Sequence, residues 1–181
     1  MTTGTLTRRF SQRLRKLSAE YAPTERRPLG GYVAELAGYG VLLAALAGAA
    51  RLTGRRLPDR VGPADLALLT VATHKLARLI AKDSVTSPLR APFTRFKEPI
   101  GHGEVMEEVR DHQVVRHAVG ELLTCPFCLG VWVCTALAGG LVLAPRATRM
   151  VMTGAAAVTG SDFLQFAYTA AQRAAEPPEQ S

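Results

Sequence analysis

The stretch Gly120-Glu121-Leu122-Leu123-Thr124-Cys125-Pro126-Phe127-Cys128-Leu129-Gly130-Val131-Trp132 sets a Cys-x-x-Cys pair at the mouth of an apolar run. Two thiols three positions apart lie on one side of a helical turn, where they can share a metal ion or a disulfide. From Phe127 to Ala144 the chain carries no charge and is long enough to cross a bilayer. Pro126 suits the first turn of a helix, so Cys125 is expected at or beside the N-cap, in the field of the helix dipole. Reactive groups thus sit where water meets lipid.

Outward from this stretch, the 181-residue chain blocks its apolar residues into four segments and puts most charges between them. Aromatics make up only 6%, so Ala, Leu, Val and Gly supply most of the apolar surface. Small residues of this kind let membrane helices approach closely. The expected fold is all-α: a membrane-embedded bundle of about four transmembrane helices, with spans at about 32–50, 64–81, 126–144 and 148–168. Gly40, Ala44 and Gly48 form a small-residue ridge on the first, Gly130, Cys134 and Ala138 on the third, and Ala156 and Gly160 on the fourth. In the second, Leu66, Leu69, Thr73, Leu76 and Ile80 fall on one face, with His74, Arg78 and Lys82 on another. Such charges must face protein or water, or snorkel to the interface.

The domain plan has three parts: a basic amphipathic arm over 1–31, the membrane domain over 32–172, and a disordered tail over 173–181. Leu6, Phe10, Leu14, Leu17 and Tyr21 recur at helical spacing, with Arg8, Arg9, Arg13, Arg15 and Lys16 around them. This arm is expected to lie on the anionic leaflet. The net charge of +7 also suits nucleic acid, but no aromatic interleaving or nucleic-acid motif accompanies it, and no nucleic-acid partner is expected. No cleavable signal peptide is apparent. Residues 83–124 form a long polar connection in which Pro88 ends the second segment, and Glu104 to Arg116 read as a short helix. Counting Lys and Arg beside four crossings puts both termini in the cytoplasm.

Two constellations can carry chemistry. Cys125 and Cys128 allow a zinc site if His102, His112 or His117 completes the ligand set. They also allow a thiol-redox pair, or two small residues packing a helix start. Zinc is the one cofactor the residues suggest, and none is required. Cys134 reads as packing. The second constellation holds the ionisable residues at membrane depth: Glu35, His74, Lys75, Arg78, Asp83, Glu121 and Asp162. Lys75 and Arg78 need acidic partners, for which Asp162 is the foremost choice, with Asp83 and Glu121 as boundary alternatives. No catalytic constellation is recognisable.

Four separated blocks carry a family resemblance: His74 to Ile80, Asp83 to Phe93, Gly120 to Trp132, and Ser161 to Leu164. In this order they resemble a bacterial integral membrane protein family known as domain of unknown function 1360, over about residues 60–172. The resemblance implies a small membrane protein and supplies no activity. It implies that Lys75, Arg78, Asp83, Arg90, Glu121, Cys125, Cys128, Trp132 and Asp162 matter together. The expected function is a multi-pass plasma-membrane protein of structural or interaction type. Its cytoplasmic-face site, around Asp83–Arg90 and Cys125–Cys128, would meet a protein partner. The alternatives are a thiol-redox or zinc protein and a small transporter using Asp162 with His74 and Arg78.

Overall fold

A computed structural model describes residues 12–14, 16–24, 27–110 and 113–175. The order is α1 (Leu29–Leu52), α2 (Pro63–Lys82), α3 (Ser87–Arg90), β1 (Thr94–Gly101), β2 (Glu104–Val109), α4 (Val114–Thr124), α5 (Pro126–Leu143) and α6 (Pro145–Ala175). Ahead of α1, residues 12–14 and 16–21 are helical, with Leu17 and Tyr21 exposed. Leu6 and Phe10 of the expected stripe, and Arg8, Arg9 and Arg15 around it, lie outside the described residues. So does the tail from 176 onward, whereas 173–175 complete α6.

Local chemistry sets the helix ends. Gly54 adopts φ +65° after α1. Its N–H donates to the Arg51 carbonyl and the Arg55 N–H to that of Ala50, a paired turn that satisfies the last carbonyls. Pro63 and Pro126 occupy first-turn positions in α2 and α5, where a missing N–H costs nothing. Thr86 Oγ1 donates to the Leu79 carbonyl at 2.6 Å and so covers the end of α2.

The four long helices lie side by side. Tyr39 bonds Thr135 at 2.8 Å, and Leu46 crowds Gly139, so α1 and α5 run in the same direction. The chain returns along α2 and α6, which are joined at one end by Asp65 with Arg149 and towards the other by Lys75 with Asp162. The end that carries the hairpin and α4 is the head; the end with residues 53–62 is the far end. Helix α2 is central. Ala72, Ala77 and Ala81 are buried, the first against Met152 and Ala155, the others against Leu129. Leu69, Leu76 and Ile80 of the expected face pack beside these alanines, while Leu66 is exposed.

Two expectations fail. The fold is not all-α: β1 and β2 pair antiparallel through a two-residue turn, with Gly101 opposite Glu104. His102 at φ +51° and Gly103 at φ +79° give that turn the positive φ angles that suit the twist of paired strands. The hairpin replaces the helix expected from Glu104 onward. Nor is this a bundle of four spans, because among the described residues only α1 and α5 are long and apolar enough to cross a membrane. The physical reason is charge: α2 holds Asp65, Lys75, Arg78 and Lys82, and α6 holds Arg146, Arg149, Asp162 and Arg173.

Close helix contacts also fall elsewhere than the ridges suggest. A Cβ on Gly40, Gly48 or Gly160 would meet nothing within 4 Å, whereas one on Gly31 would lie 2.5 Å from the Val114 carbonyl oxygen. Gly31→Val is therefore expected to destabilise the α1–α4 contact by about 1–3 kcal/mol. Gly40→Val should change stability by less than about 0.5 kcal/mol. Thermal unfolding in a mild detergent separates the two.

Candidate functional site

At the head, α2 presents His74, Lys75 and Arg78 to a cleft of about 640 Å³. The remaining walls come from the hairpin tip (Ile100 to Glu104) and from α6 (Asp162, Phe163, Phe166). Helical spacing puts Lys75 and Arg78 one turn apart, so each reaches a different partner. Lys75 Nζ lies 2.5 Å from Asp162 Oδ2, the pairing expected from sequence. Arg78 instead makes a two-pronged contact with Glu104, at 2.6 and 2.8 Å. His102 meets Phe166 edge to face, with ring centroids 5.2 Å apart. The Ser84 N–H donates to the Gly103 carbonyl at 2.9 Å, which docks the hairpin tip on the end of α2.

Behind this wall lies a hub. Arg90 is fully buried, with its Nε 2.9 Å from Glu107 Oε2 and its Nη2 3.0 Å from Oε1. Its other N–H groups donate to the carbonyls of Ile80 and Asp83 and to the Thr86 and Ser87 hydroxyls. Thr94, also buried, donates to Glu107 at 2.8 Å. Burial pushes the Glu107 carboxyl up, but hydrogen bonds from Arg90 and Thr94, with the Arg90 charge, outweigh it and hold the group below its ordinary value. Asp83 contributes its carbonyl to the hub, while its side chain accepts the Val85 N–H at 2.9 Å in a local turn.

A second group lies where α4 meets α5. Glu121 accepts from the Tyr32 hydroxyl at 2.6 Å, with Arg27 at 3.8 Å and His117 at 3.5 Å. Cys125 ends α4 and caps α5, its thiol accepting the Cys128 N–H at 3.2 Å. Both thiols are free. Trp132, one turn beyond Cys128, packs edge to face on Tyr39 at 5.4 Å. Among the described residues, no three His, Cys, Asp or Glu side chains gather closely enough to hold a metal ion. His102 belongs to the cleft and His117 lies beside Glu121, while His112 lies outside the described residues.

The structure therefore gathers His74, Lys75, Arg78, Asp83 and Asp162 in one cleft, places Arg90 in the hub behind it, and sets Glu121, Cys125, Cys128 and Trp132 at a separate joint. Sequence reasoning missed Glu104, Glu107 and Thr94. The Gly101-His102-Gly103 turn was the available signal, since a tight hairpin there brings Glu104 and Glu107 back towards α2.

The sequence profile of a family described as protein of unknown function (DUF1360) matches residues 68–168, more than half of the chain. The chain belongs to this family. The match takes in most of α2, the hub, the hairpin and Asp162, and leaves out the basic arm and α1. The chain is similar to the sporulation protein YjcA of Bacillus subtilis, at 39% identity over 80 residues. That alignment covers 43% of this chain and 64% of YjcA. It is also similar to the UPF0713 protein YngL of Bacillus subtilis, at 28% identity over 88 residues, 49% of this chain and 65% of YngL. The chain thus spans just under two thirds of the relatives it matches. No solved structure matches it.

Removing one partner of the hub strands a buried charge. Arg90→Met is expected to cost about 3–5 kcal/mol, with partial recovery in Arg90→Met/Glu107→Leu. The lowered Glu107 value means that the carboxylate stabilises the fold above the ordinary glutamate range. That contribution is lost as pH falls through the folded value. Midpoints of thermal unfolding measured from neutrality into acid should therefore fall more steeply for the wild type than for Glu107→Gln.

Proposed function

We propose that this chain is a membrane protein of structural or interaction type, held in the bilayer through α1 and α5, with its head in the cytoplasm as a docking site for a protein partner. The observation that carries the membrane reading is where the apolar surface lies. None of the most apolar stretch of α1 is buried within the protein, and only 11% of that of α5. A helix apolar all round that finds no protein core needs lipid as its surroundings. Leu36, Val41 and Leu43 on α1, with Phe127 and Val131 on α5, all face outward.

An interaction role is supported by how the charges are used. Lys75 with Asp162, Arg78 with Glu104 and Arg90 with Glu107 tie elements together in pairs. Beside these pairs, Phe163 and Phe166 stand 68% and 50% exposed at the rim of the cleft. Exposed aromatics next to fixed charges suit recognition of a protein surface. The cytoplasmic placement of the head rests on the basic arm that enters α1 at that end, together with Arg95, Lys97, Arg110 and Arg116.

Fractionation tests the membrane reading. The chain should stay in the membrane pellet through an alkaline carbonate wash and be released by detergent; release by carbonate alone would sink it. For orientation, Val85→Cys at the head is placed in a background without native cysteines. An impermeant maleimide applied to intact cells should spare it. Ready labelling would put the head outside.

A further inference from the structure

We propose that the far end of the protein holds the phosphate groups of anionic phospholipid on the arginines of residues 53–62, an assignment that rests on the membrane reading above. A cleft of about 460 Å³ opens between this connection and the α5–α6 turn. Arg55, Arg56, Arg60 and Arg149 line it, against Asp65 as its one acidic residue. Arg149 is committed: its Nε and Nη2 each lie 2.8 Å from an Asp65 oxygen. Among the described residues, Arg55, Arg56 and Arg60 make no ion pair, and the nearby Asp59 is not part of the cleft wall.

Three guanidinium groups within six positions repel one another, yet the backbone fixes where they start. The turn at Gly54 bonds the Arg55 N–H to the Ala50 carbonyl at 2.8 Å, which carries the chain across the end of α1. Unpaired arginines lining one cleft match the planar, two-pronged hydrogen bonding of a phosphate.

The apolar surroundings select a lipid phosphate over a free one. Leu141 and Val142 form part of the same cleft wall and continue the apolar surface of α5. Leu52 before the cluster and Leu57 within it are 91% and 78% exposed. A phosphodiester carrying acyl chains satisfies both surfaces at once: the headgroup on the arginines, the chains along α1 and α5. Inorganic phosphate satisfies only the first.

The test uses the full chain purified in a neutral detergent. Phosphatidylglycerol, phosphatidylcholine or inorganic phosphate is titrated in, with bound lipid read by native mass spectrometry and stability by thermal unfolding. The wild type should retain phosphatidylglycerol and gain thermal stability from it, and do neither with phosphatidylcholine. Neutralising the cluster in Arg55→Gln/Arg56→Gln/Arg60→Gln should weaken phosphatidylglycerol binding at least about tenfold. Unchanged binding in the cluster variant overturns the assignment. An equal stability gain from inorganic phosphate at equal concentration makes this a free-anion site and also overturns it. A wild-type chain found in the soluble fraction removes the membrane reading and the lipid site together. A membrane-integrated chain that fails only the lipid titration removes the lipid site alone.

Discussion

The head of this protein depends on one buried ion pair, Arg90 with Glu107. Taking two charges out of water costs several kcal/mol per ion, and their attraction offsets this only when the geometry is good and the remaining donors are satisfied. Here the five guanidinium N–H groups share six acceptors: both carboxylate oxygens, the Ile80 and Asp83 carbonyls, and the Thr86 and Ser87 hydroxyls. The Ile80 carbonyl lies in the last turn of α2, where Arg90 reaches it together with the Thr86 hydroxyl. Arg90 therefore closes a helix and fixes a strand with the same side chain. Once Glu107 is held, the antiparallel register carries β2 back to Glu104 beside the end of α2, where Arg78 meets it. The cleft follows from the hub.

Two environments divide the helices. Helices α1 and α5 turn apolar surface outward and touch each other through Tyr39, Thr135 and Trp132. Helices α2 and α6 spend their charges on each other and on the head. These pairs are half exposed, so each contributes modestly to stability; their value lies in fixing how one helix slides along the next. Alanines do the packing. With Ala72, Ala77 and Ala81 at its buried face, α2 comes close to both neighbours without a large side chain to interdigitate.

How much of this was legible in sequence depended on range. The start of α5 could be read because Pro126 acts locally. Lys75 with Asp162 was legible because a cation within a mostly apolar helix needs an anion, and Asp162 was the foremost one available. The hairpin was hidden: Arg95, Lys97, Glu98 and Pro99 interrupt the apolar alternation that marks a strand, and its stability comes from a hub assembled by tertiary contact. Hydropathy misled for α2 and α6, since periodic small residues resemble a span while their charges serve contacts that only the folded chain reveals. Glycine ridges misled for a related reason. Spacing shows which residues share a face, but it does not show which face is covered, and Gly40 and Gly48 lie on an open one.

The Cys-Pro-Phe-Cys segment gains a structural explanation from the same logic. Cys125 is at once the last position after α4 and the cap of α5, so the chain turns on a single extended residue. Its thiol takes the N–H that the helix start leaves over, a task usually given to serine or aspartate. That turn directs α4 back along the start of α1, where Glu121 receives Tyr32 and Gly31 admits the Val114 backbone. A bulkier joint would move α4, and with it the floor on which the hairpin rests, because a Cβ on Gly120 would lie 2.6 Å from Val109 of β2. The cysteines thus stand at a joint that links the first apolar helix to the hub, and any thiol chemistry there would act on the relation between that helix and the head.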